Sequence, residues 1–197
     1  CQFWRRAGIE AVYICPELNY GAAIHADKWI PVLPNTDAAL QLAIIYTWLK
    51  EGTWDKEYVA THAVGMDKIE AYVLGEVDGT PKTPKWAEGK CGVPSYTIKA
   101  LARKFAKQVT SIIHYFGGSM VRGPFSHEPG RLECVLLGMQ GLGAPGVWQW
   151  QISYAGMPRA EGIKSNRFFN PFLPERIRTP TRTSSDAWGK QLIPKTM

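Results

Sequence analysis

The sequence predicts an α/β fold, a parallel sheet with helices on both faces, followed by an irregular basic C-terminal segment. Three observations carry that prediction. Two β-branched, apolar runs, Ile9–Cys15 and Thr110–Phe116, stop at strand breakers, Pro16 and Gly117-Gly118. Between and after them lie stretches with apolar residues at helical spacing. From Val147 to Met197 no strong periodicity persists, and prolines, aromatics and basic side chains dominate. This organisation assigns residues 1–150 to one α/β region and 151–197 to a Pro/Arg-rich segment leading into a further domain.

The chain enters through a short helical turn at Trp4–Ala7, and Ile9–Cys15 reads as a buried strand ending at Pro16. Ala22–Asp27 reads as a short helix. Trp29–Leu33 is a second extended piece, with Pro31 and Pro34 marking an edge or a loop. Thr36 or Asp37 can cap the helix Ala38–Glu51, which is apolar on nearly every face and stops at Gly52, so burial between layers is expected. Shorter helices are expected near 55–63, 67–74 and 84–90, with a polar turn at Glu76–Pro81. Pro94 opens Ser95–Lys107, where Ile98, Leu101, Ala102, Phe105 and Ala106 form an apolar stripe and Lys99, Arg103, Lys104 and Lys107 lie outside it. After the strand Thr110–Phe116, a helix is expected over Glu128–Leu142, closed by the glycine-rich Gly141–Gly146.

With 45% hydrophobic, 12% aromatic and 20% charged residues, the 197-residue chain has a globular composition, which excludes wholesale disorder. Its most apolar stretch, Ala38–Leu49, is interrupted by Gln41 and falls short of the roughly 18 to 20 apolar residues a membrane span needs. The chain opens on Cys1, shows no secretory signal, and looks like a piece of something larger. Cys1, Cys15, Cys91 and Cys134 lie too far apart for zinc or iron–sulfur spacing; they are expected as reduced, buried thiols, and no metal ligand is assigned. Net charge is +6, and from residue 151 onward eight basic side chains stand against three acids, so the tail carries nearly all the excess. Such a tail suits nucleic acid, an acidic partner subunit or a phosphate-bearing cofactor; a solvated, proline-punctuated linker is the plainer reading.

Ligands of parallel α/β sheets sit beyond the carboxyl ends of the strands, here in the loops that begin at Cys15, Leu33 and Gly117. None carries GxGxxG or GxxxxGK(S/T), so no standard dinucleotide site or P-loop is offered. The loop Pro34-Asn35-Thr36-Asp37 precedes a helix, where free N–H groups and the positive dipole end favour a phosphate or an acidic cap. Asp37 reads as that cap, or as an acceptor for the N1–H and 2-amino group of a guanine. Glu17, just past the first strand, is a solvated loop acid or an acceptor for ribose hydroxyls.

Longer strings narrow the choice. The order Tyr13-Ile-Cys-Pro-Glu-Leu-Asn-Tyr20, then Ala26-Asp-Lys-Trp-Ile-Pro-Val-Leu-Pro-Asn-Thr-Asp-Ala-Ala-Leu40, resembles a stretch of the dimethyl sulfoxide reductase family of molybdenum and tungsten enzymes. Further resemblance lies in Glu51-Gly-Thr-Trp-Asp-Lys-Glu-Tyr-Val-Ala-Thr-His62, in Cys91-Gly-Val-Pro94 before the Ile98–Arg103 helix, and in Leu137-Gly-Met-Gln-Gly-Leu-Gly-Ala-Pro-Gly146. It covers about residues 3–150 in colinear order. The resemblance implies a region that holds one guanosine arm of a bis(molybdopterin guanine dinucleotide) cofactor with molybdenum or tungsten. Pro34, Asn35, Thr36 and Asp37 would line it, Thr36 and Asp37 on guanine and a strand-end acid on ribose, with Gly117, Gly118 and Arg122 also at the cofactor. The chain departs from the pattern at Cys15, where the family has aspartate, leaving Glu17 as the nearby acid. Asn35 stands for a glycine and Leu33 for a basic residue; asparagine tolerates a left-handed backbone better than most.

Within the family, the Leu137–Gly146 form and the tail Leu192–Met197 are most like members that move a hydroxyl between phenolic rings with no net redox change. That implies a catalytic-subunit fragment of a hydroxyl-transferring enzyme. The alternative is a true oxidoreductase of the same family, resembling arsenate, polysulfide or thiosulfate reductases. A basic nucleic-acid-binding module, the reading from another class, leaves the colinear match unexplained, so no nucleic-acid partner is expected. Arg122 and His127 follow the Gly117-Gly118 loop, where they can meet a phenolate or a pterin phosphate. Tyr154, in the aromatic run Trp148–Gly156, is with His127 a candidate acid–base residue; the plainer readings are surface hydrogen bonding and core packing. The resemblance places the metal ligand, the cysteines of [4Fe–4S] clusters and the second pterin arm outside these residues. Expected partners are the rest of the catalytic subunit, an iron–sulfur small subunit and a small phenolic or oxyanion substrate, and the expected location is cytoplasmic.

Overall fold

A computed structural model describes residues 2–115, 123 and 125–152. All of them except Ile152 belong to a compact unit, Cys1–Gln151. The elements run α1 (Gln2–Arg6), β1 (Val12–Ile14), α2 (Tyr20–His25), β2 (Lys28–Ile30), α3 (Asp37–Glu51) and α4 (Lys56–His62). There follow α5 (Met66–Leu74), α6 (Pro84–Cys91), α7 (Ser95–Lys107), β3 (Ile112–Tyr115), α8 (His127–Gly138) and β4 (Gln149–Ile152).

The chain is α/β, with a small parallel sheet among many helices. Strands β1 and β2 pair in parallel, with Val12 opposite Lys28, Tyr13 opposite Trp29 and Ile14 opposite Ile30. The register is locked at its entry: Ala11 N–H donates to Asp27 Oδ2 at 2.8 Å, and Asp27 N–H returns to the Ala11 carbonyl at 2.9 Å. Strands β3 and β4 form a second two-stranded sheet. The two strands read from the sequence therefore lie in separate small sheets, and β4 falls where no regular element is expected. Its Gln149-Trp150-Gln151-Ile152 does alternate, but four residues are too few for a period-2 signal to stand out. β1 is half-exposed rather than buried, with Ile14 39% exposed.

The core is built around α3. Leu40, Leu42, Ala43, Ile44, Ile45, Thr47 and Trp48 are all buried there, as expected for a helix apolar on nearly every face. It packs against α5, α6, α7 and α8, and a helix covered on so many sides has no room for a polar stripe. Trp48 is 0% exposed; its ring meets Phe105 edge-on at 5.0 Å, and its indole N–H donates to the Ala102 carbonyl at 2.7 Å. That bond matters because a buried indole without an acceptor would lose its hydration uncompensated. α7 meets α3 through Ile98, Ala102 and Phe105, the stripe its sequence spacing foretold. α3 ends where Gly52 turns into the left-handed region, φ 67°, and donates its N–H to the Trp48 carbonyl.

Two buried polar groups escape sequence reasoning. Lys82 is 2% exposed, with its ammonium donating to Asp78 and to the Thr80 carbonyl and lying 4.4 Å from the Tyr72 ring centre and 5.5 Å from that of Trp86. An ammonium is tolerated in such a place because a carboxylate, a carbonyl and two aromatic faces replace its water. The second is Glu133, 4% exposed on α8. Among the cysteines, Cys91 is buried, and burial pushes its thiol pKa up; Cys15 is half-buried. Cys134 is exposed, against expectation, and Cys1 lies outside the described residues. No described helix is long and apolar enough to cross a membrane.

Candidate functional site

Because β1 and β2 run in parallel, the loop after β1 and the loop after β2 leave the same end of the pair. The second is the turn Leu33–Asp37. Leu33 N–H donates to the Cys91 carbonyl at 2.9 Å, which moors the turn to the end of α6. Gly92 makes this approach possible: a Cβ there would come within 3.3 Å of Leu33 Cγ, and its φ of 73° suits glycine. Asn35 then enters the left-handed region at φ 61°, the conformation foreseen for the asparagine that stands in place of glycine. Gly123 reaches the same place from the loop before α8, since a Cβ on it would lie 3.1 Å from Asn35 Cγ.

Neither proposed cap acts as one. Thr36 is the N-cap residue, but its hydroxyl turns back to donate to the Leu33 carbonyl at 2.6 Å and makes no bond to the helix. Asp37 is the first helical residue, and no described residue pairs with its carboxylate. Among the described residues, no acceptor takes the N–H groups of Asp37 and Ala38. One turn further, Gln41 has a buried Oε1 with no partner. Residues 37 and 41 share one helix face. The head of α3 therefore offers a half-buried carboxylate, an orphaned carbonyl oxygen and free backbone donors at the positive end of a 15-residue helix.

Glu17 is exposed in the loop after β1, at the same end of the parallel pair, and its carbonyl accepts from Asn19 N–H and the Cys15 thiol. Pro34 is exposed in the turn. His127, in the first turn of α8, holds Glu128 Oε1 at 2.9 Å on the surface, and Arg131 shares that carboxylate; none of these bonds reaches the α3 turn. Gly117, Gly118, Arg122 and Tyr154 lie outside the described residues.

Sequence reasoning missed the polar cluster on α8. Glu133 Oε2 accepts from Gln149 Nε2 at 2.7 Å and lies 3.1 Å from His114 Nδ1, joining α8, β4 and β3. Burial pushes its carboxyl pKa up, the bonds to Gln149 and His114 oppose that, and the charge of Asp37 adds to the rise. A signal existed: Glu133 lies on the helix face of Pro129, Leu136 and Leu137, all buried.

A groove of about 680 Å³ opens at the other end of α3, lined among others by Glu51, Trp54, Arg103 and Gln140. It is remote along α3 from Asp37, and within it Arg103 grips both oxygens of Glu51 at 2.8 to 3.1 Å. Gln140, which lines this groove, also buries an oxygen with no partner, but the unpaired carboxylate and the free backbone donors are at the helix head, and the candidate site is assigned there.

By sequence the chain belongs to the dimethyl sulfoxide reductase family of molybdopterin enzymes. No family model matches it, and the assignment rests on relatives. Over 161 residues it is 44% identical to the pyrogallol hydroxytransferase large subunit of Pelobacter acidigallici, a match over 80% of this chain and 18% of that protein. It is 34% identical to the trimethylamine-N-oxide reductase of Haemophilus influenzae, over 81% of this chain and 20% of that one. With the dimethyl sulfoxide/trimethylamine N-oxide reductase of Rhodobacter capsulatus it shares 39% identity over 79% of its own length and 19% of the relative's. The chain thus spans about a fifth of these relatives. In fold it is similar to acetylene hydratase from Pelobacter acetylenicus, with a TM-score of 0.61 and 24% identity over 70% of this chain and 18% of that one.

The residues at the head of α3 fit the polar and phosphate groups of a molybdopterin cofactor. The orphaned Gln41 oxygen and unpaired Asp37 need donors, and the free N–H groups need an acceptor.

Proposed function

We propose that this chain holds a guanosine arm of a bis(molybdopterin guanine dinucleotide) cofactor within the catalytic subunit of an enzyme that transfers hydroxyl groups between phenolic substrates. The carrying observation is Asp37: a carboxylate at a helix head, presented by a left-handed asparagine, with no partner among the described residues. Two parallel acceptor directions on one carboxylate match the N1–H and 2-amino donors of guanine. Thr36 and Asn35 shape the turn, Pro34 stiffens it, and Glu17 at the same strand end is placed for ribose. Gly117, Gly118 and Arg122 complete the cofactor surface in this reading, while His127 and Tyr154 serve acid–base roles toward substrate. When bound, the metal supplies the centre at which substrate oxygen is exchanged.

The phenolic reading is supported by the 44% identity to a pyrogallol hydroxytransferase large subunit. A second reading, an oxide or oxyanion reductase, is favoured by the identities of 34% and 39% to trimethylamine-N-oxide and dimethyl sulfoxide reductases. In both readings an iron–sulfur small subunit is the partner, [4Fe–4S] clusters lie outside this chain, and the cytoplasm is the compartment. The test uses the intact parent protein: molybdenum, tungsten and acid-released guanine nucleotide are measured for wild type and Asp37→Ala. About two guanines per metal in wild type, with a loss of about tenfold to hundredfold in nucleotide affinity for the variant, is expected from deleting a charged acceptor. Unchanged guanine content and affinity in Asp37→Ala overturns the assignment. Turnover of pyrogallol against trimethylamine N-oxide separates the two readings.

A further inference from the structure

The turn before α3 is held from outside as well as by its own bonds. Thr36 N–H donates to the Leu33 carbonyl at 3.3 Å, so Leu33–Thr36 closes a β-turn with Pro34 second and the left-handed Asn35, φ 61°, third. That residue order suits a type II turn, whose third position needs a positive φ. The competing type I turn keeps the same proline and the same hydrogen bond, but sets its third residue at about −90°, one flip of the Pro34–Asn35 peptide away. Asparagine bears the left-handed conformation better than most residues, yet nothing in its own chemistry compels it. The choice between the two turns matters because the flip re-aims the residues that enter α3.

The exposed Asn35 side chain makes no hydrogen bond among the described residues. What it does meet is Gly123. A Cβ on Gly123 would stand 3.1 Å from Asn35 Cγ, 3.2 Å from its Oδ1 and 3.3 Å from its Nδ2. Near-equal distances to three atoms of one planar group put that Cβ position over the face of the carboxamide, since an approach in its plane would bring the oxygen or the nitrogen clearly nearer or farther than Cγ. The carboxamide therefore lies flat on the bare Cα of Gly123, with its in-plane donors and acceptor pointing elsewhere. The loop that carries Gly123 is anchored in its turn: the Phe125 carbonyl accepts Glu128 N–H at 2.9 Å in the first turn of α8, and α8 packs against α3. Seat and turn are mounted on the same pair of helices.

We propose that Gly123 is a positioning residue for the turn that presents Asp37: the flat seat it gives the Asn35 carboxamide selects the left-handed, type II form of Leu33–Thr36, and so fixes where Asp37 and the first N–H groups of α3 stand. This rests on the guanine reading of Asp37 and extends it to a residue of a distant loop that acts through Asn35. A side chain at position 123 lifts the carboxamide off its seat, and the turn then shares its time with the flipped form. Asn35→Gly removes the need for a seat, because glycine takes a positive φ about as readily as a negative one.

The experiment uses the intact, cofactor-loaded parent protein and reads guanine-nucleotide content and affinity for Gly123→Ala, Gly123→Val, Asn35→Gly and the two double variants. Gly123→Val is expected to lose about three- to tenfold in affinity, since the seat offsets the cost of one left-handed asparagine. Gly123→Ala loses less, because a single methyl asks the carboxamide to give by only a few tenths of an ångström. Asn35→Gly keeps its nucleotide, and in that background both losses vanish. Gly130→Ala, whose Cβ would meet nothing within 4 Å, stays at the wild-type level and serves as the control. Full affinity in Gly123→Val, an equal loss with and without Asn35→Gly, or loss of nucleotide in Asn35→Gly alone overturns the proposal. If Gly123→Val does not fold, Gly123→Ala with and without Asn35→Gly decides by the same rule. The guanine reading is tested apart, by Asp37→Ala. If that variant keeps its nucleotide, the guanine reading falls and the seat is still decided by hydrogen exchange over residues 33–38. Faster exchange in Gly123→Val that Asn35→Gly cancels upholds the seat, and additive effects overturn it.

Discussion

The two ends of α3 are finished in opposite ways. At its C-terminus Gly52 folds back onto the Trp48 carbonyl, Thr53 N–H reaches that carbonyl too, and Arg103 clamps Glu51, the last helical residue, through three hydrogen bonds. At its N-terminus Thr36 declines to cap, Asp37 is unpaired among the described residues, and Gln41 buries an oxygen with no donor. The backbone of one end is capped by its own chain, although Gln140 nearby buries an oxygen with no donor, while the first N–H groups of the other end find no acceptor among the described residues. The lesson is that backbone capping and open volume point to different ends of one helix, since the groove lies at the capped end.

That contrast can be broken at its shared support. Trp48→Ala removes the side chain on which α3, α7 and Phe105 close, and is expected to cost about 3 to 5 kcal/mol of unfolding free energy in urea titration. It should weaken both ends alike. Asp37→Ala should act on the head alone, lowering nucleotide affinity by about tenfold to hundredfold while leaving the urea midpoint of the nucleotide-free protein nearly unchanged. Gly52→Ala acts on the tail alone: the space around it is open, so the cost is that of a left-handed alanine, about 1 to 2 kcal/mol, with nucleotide content intact.

A finer discrimination comes from two glutamates. The Arg103 hydrogen bonds hold the Glu51 carboxyl below its ordinary value near 4.5, so its contribution is present above that pH and fades as pH falls through the lowered value. Burial raises Glu133 above the same starting value, so the native state binds the extra proton, and stability declines as pH climbs from 4.5 through the raised value. Glu51→Gln should therefore flatten the acid limb of a stability profile and Glu133→Gln the limb above it. The Glu51 effect is the smallest of the set, because Arg103 is exposed and its pair is screened by solvent. Matching limbs for the two variants would erase the distinction between the exposed Glu51 pair and the buried Glu133.

Much of the scaffold was legible. The apolar surround of α3, the stripe of α7 and the glycine stop at Gly52 are periodic or positional signals, and the structure keeps them within a residue or two. The turn at Pro34–Asp37 was legible as a place but not as a geometry. A threonine before a helix reads as a cap, yet Leu33, anchored by Cys91, presents its carbonyl to the hydroxyl first. β4 is too short to register, and the apolar composition of β1 does not reveal how much of its faces the rest of the chain covers. The burial of Glu133 had a signal in its helix face, but its partners, like those of Lys82, were illegible: they are distant in sequence or folded back by a turn, and a single chain written linearly does not display them.

Lys82 also gives the protein a clock. Its amine is sealed beneath Tyr72 and Trp86, whereas the neighbouring Lys85 side chain is 82% exposed. An acylating reagent added to the native protein therefore marks Lys85 at once and reaches Lys82 only when the Asp78–Thr83 turn lifts away. The lag between the two modifications, read by mass spectrometry, counts local openings of this corner without denaturant, and trypsin cleavage after Lys82 should keep the same time.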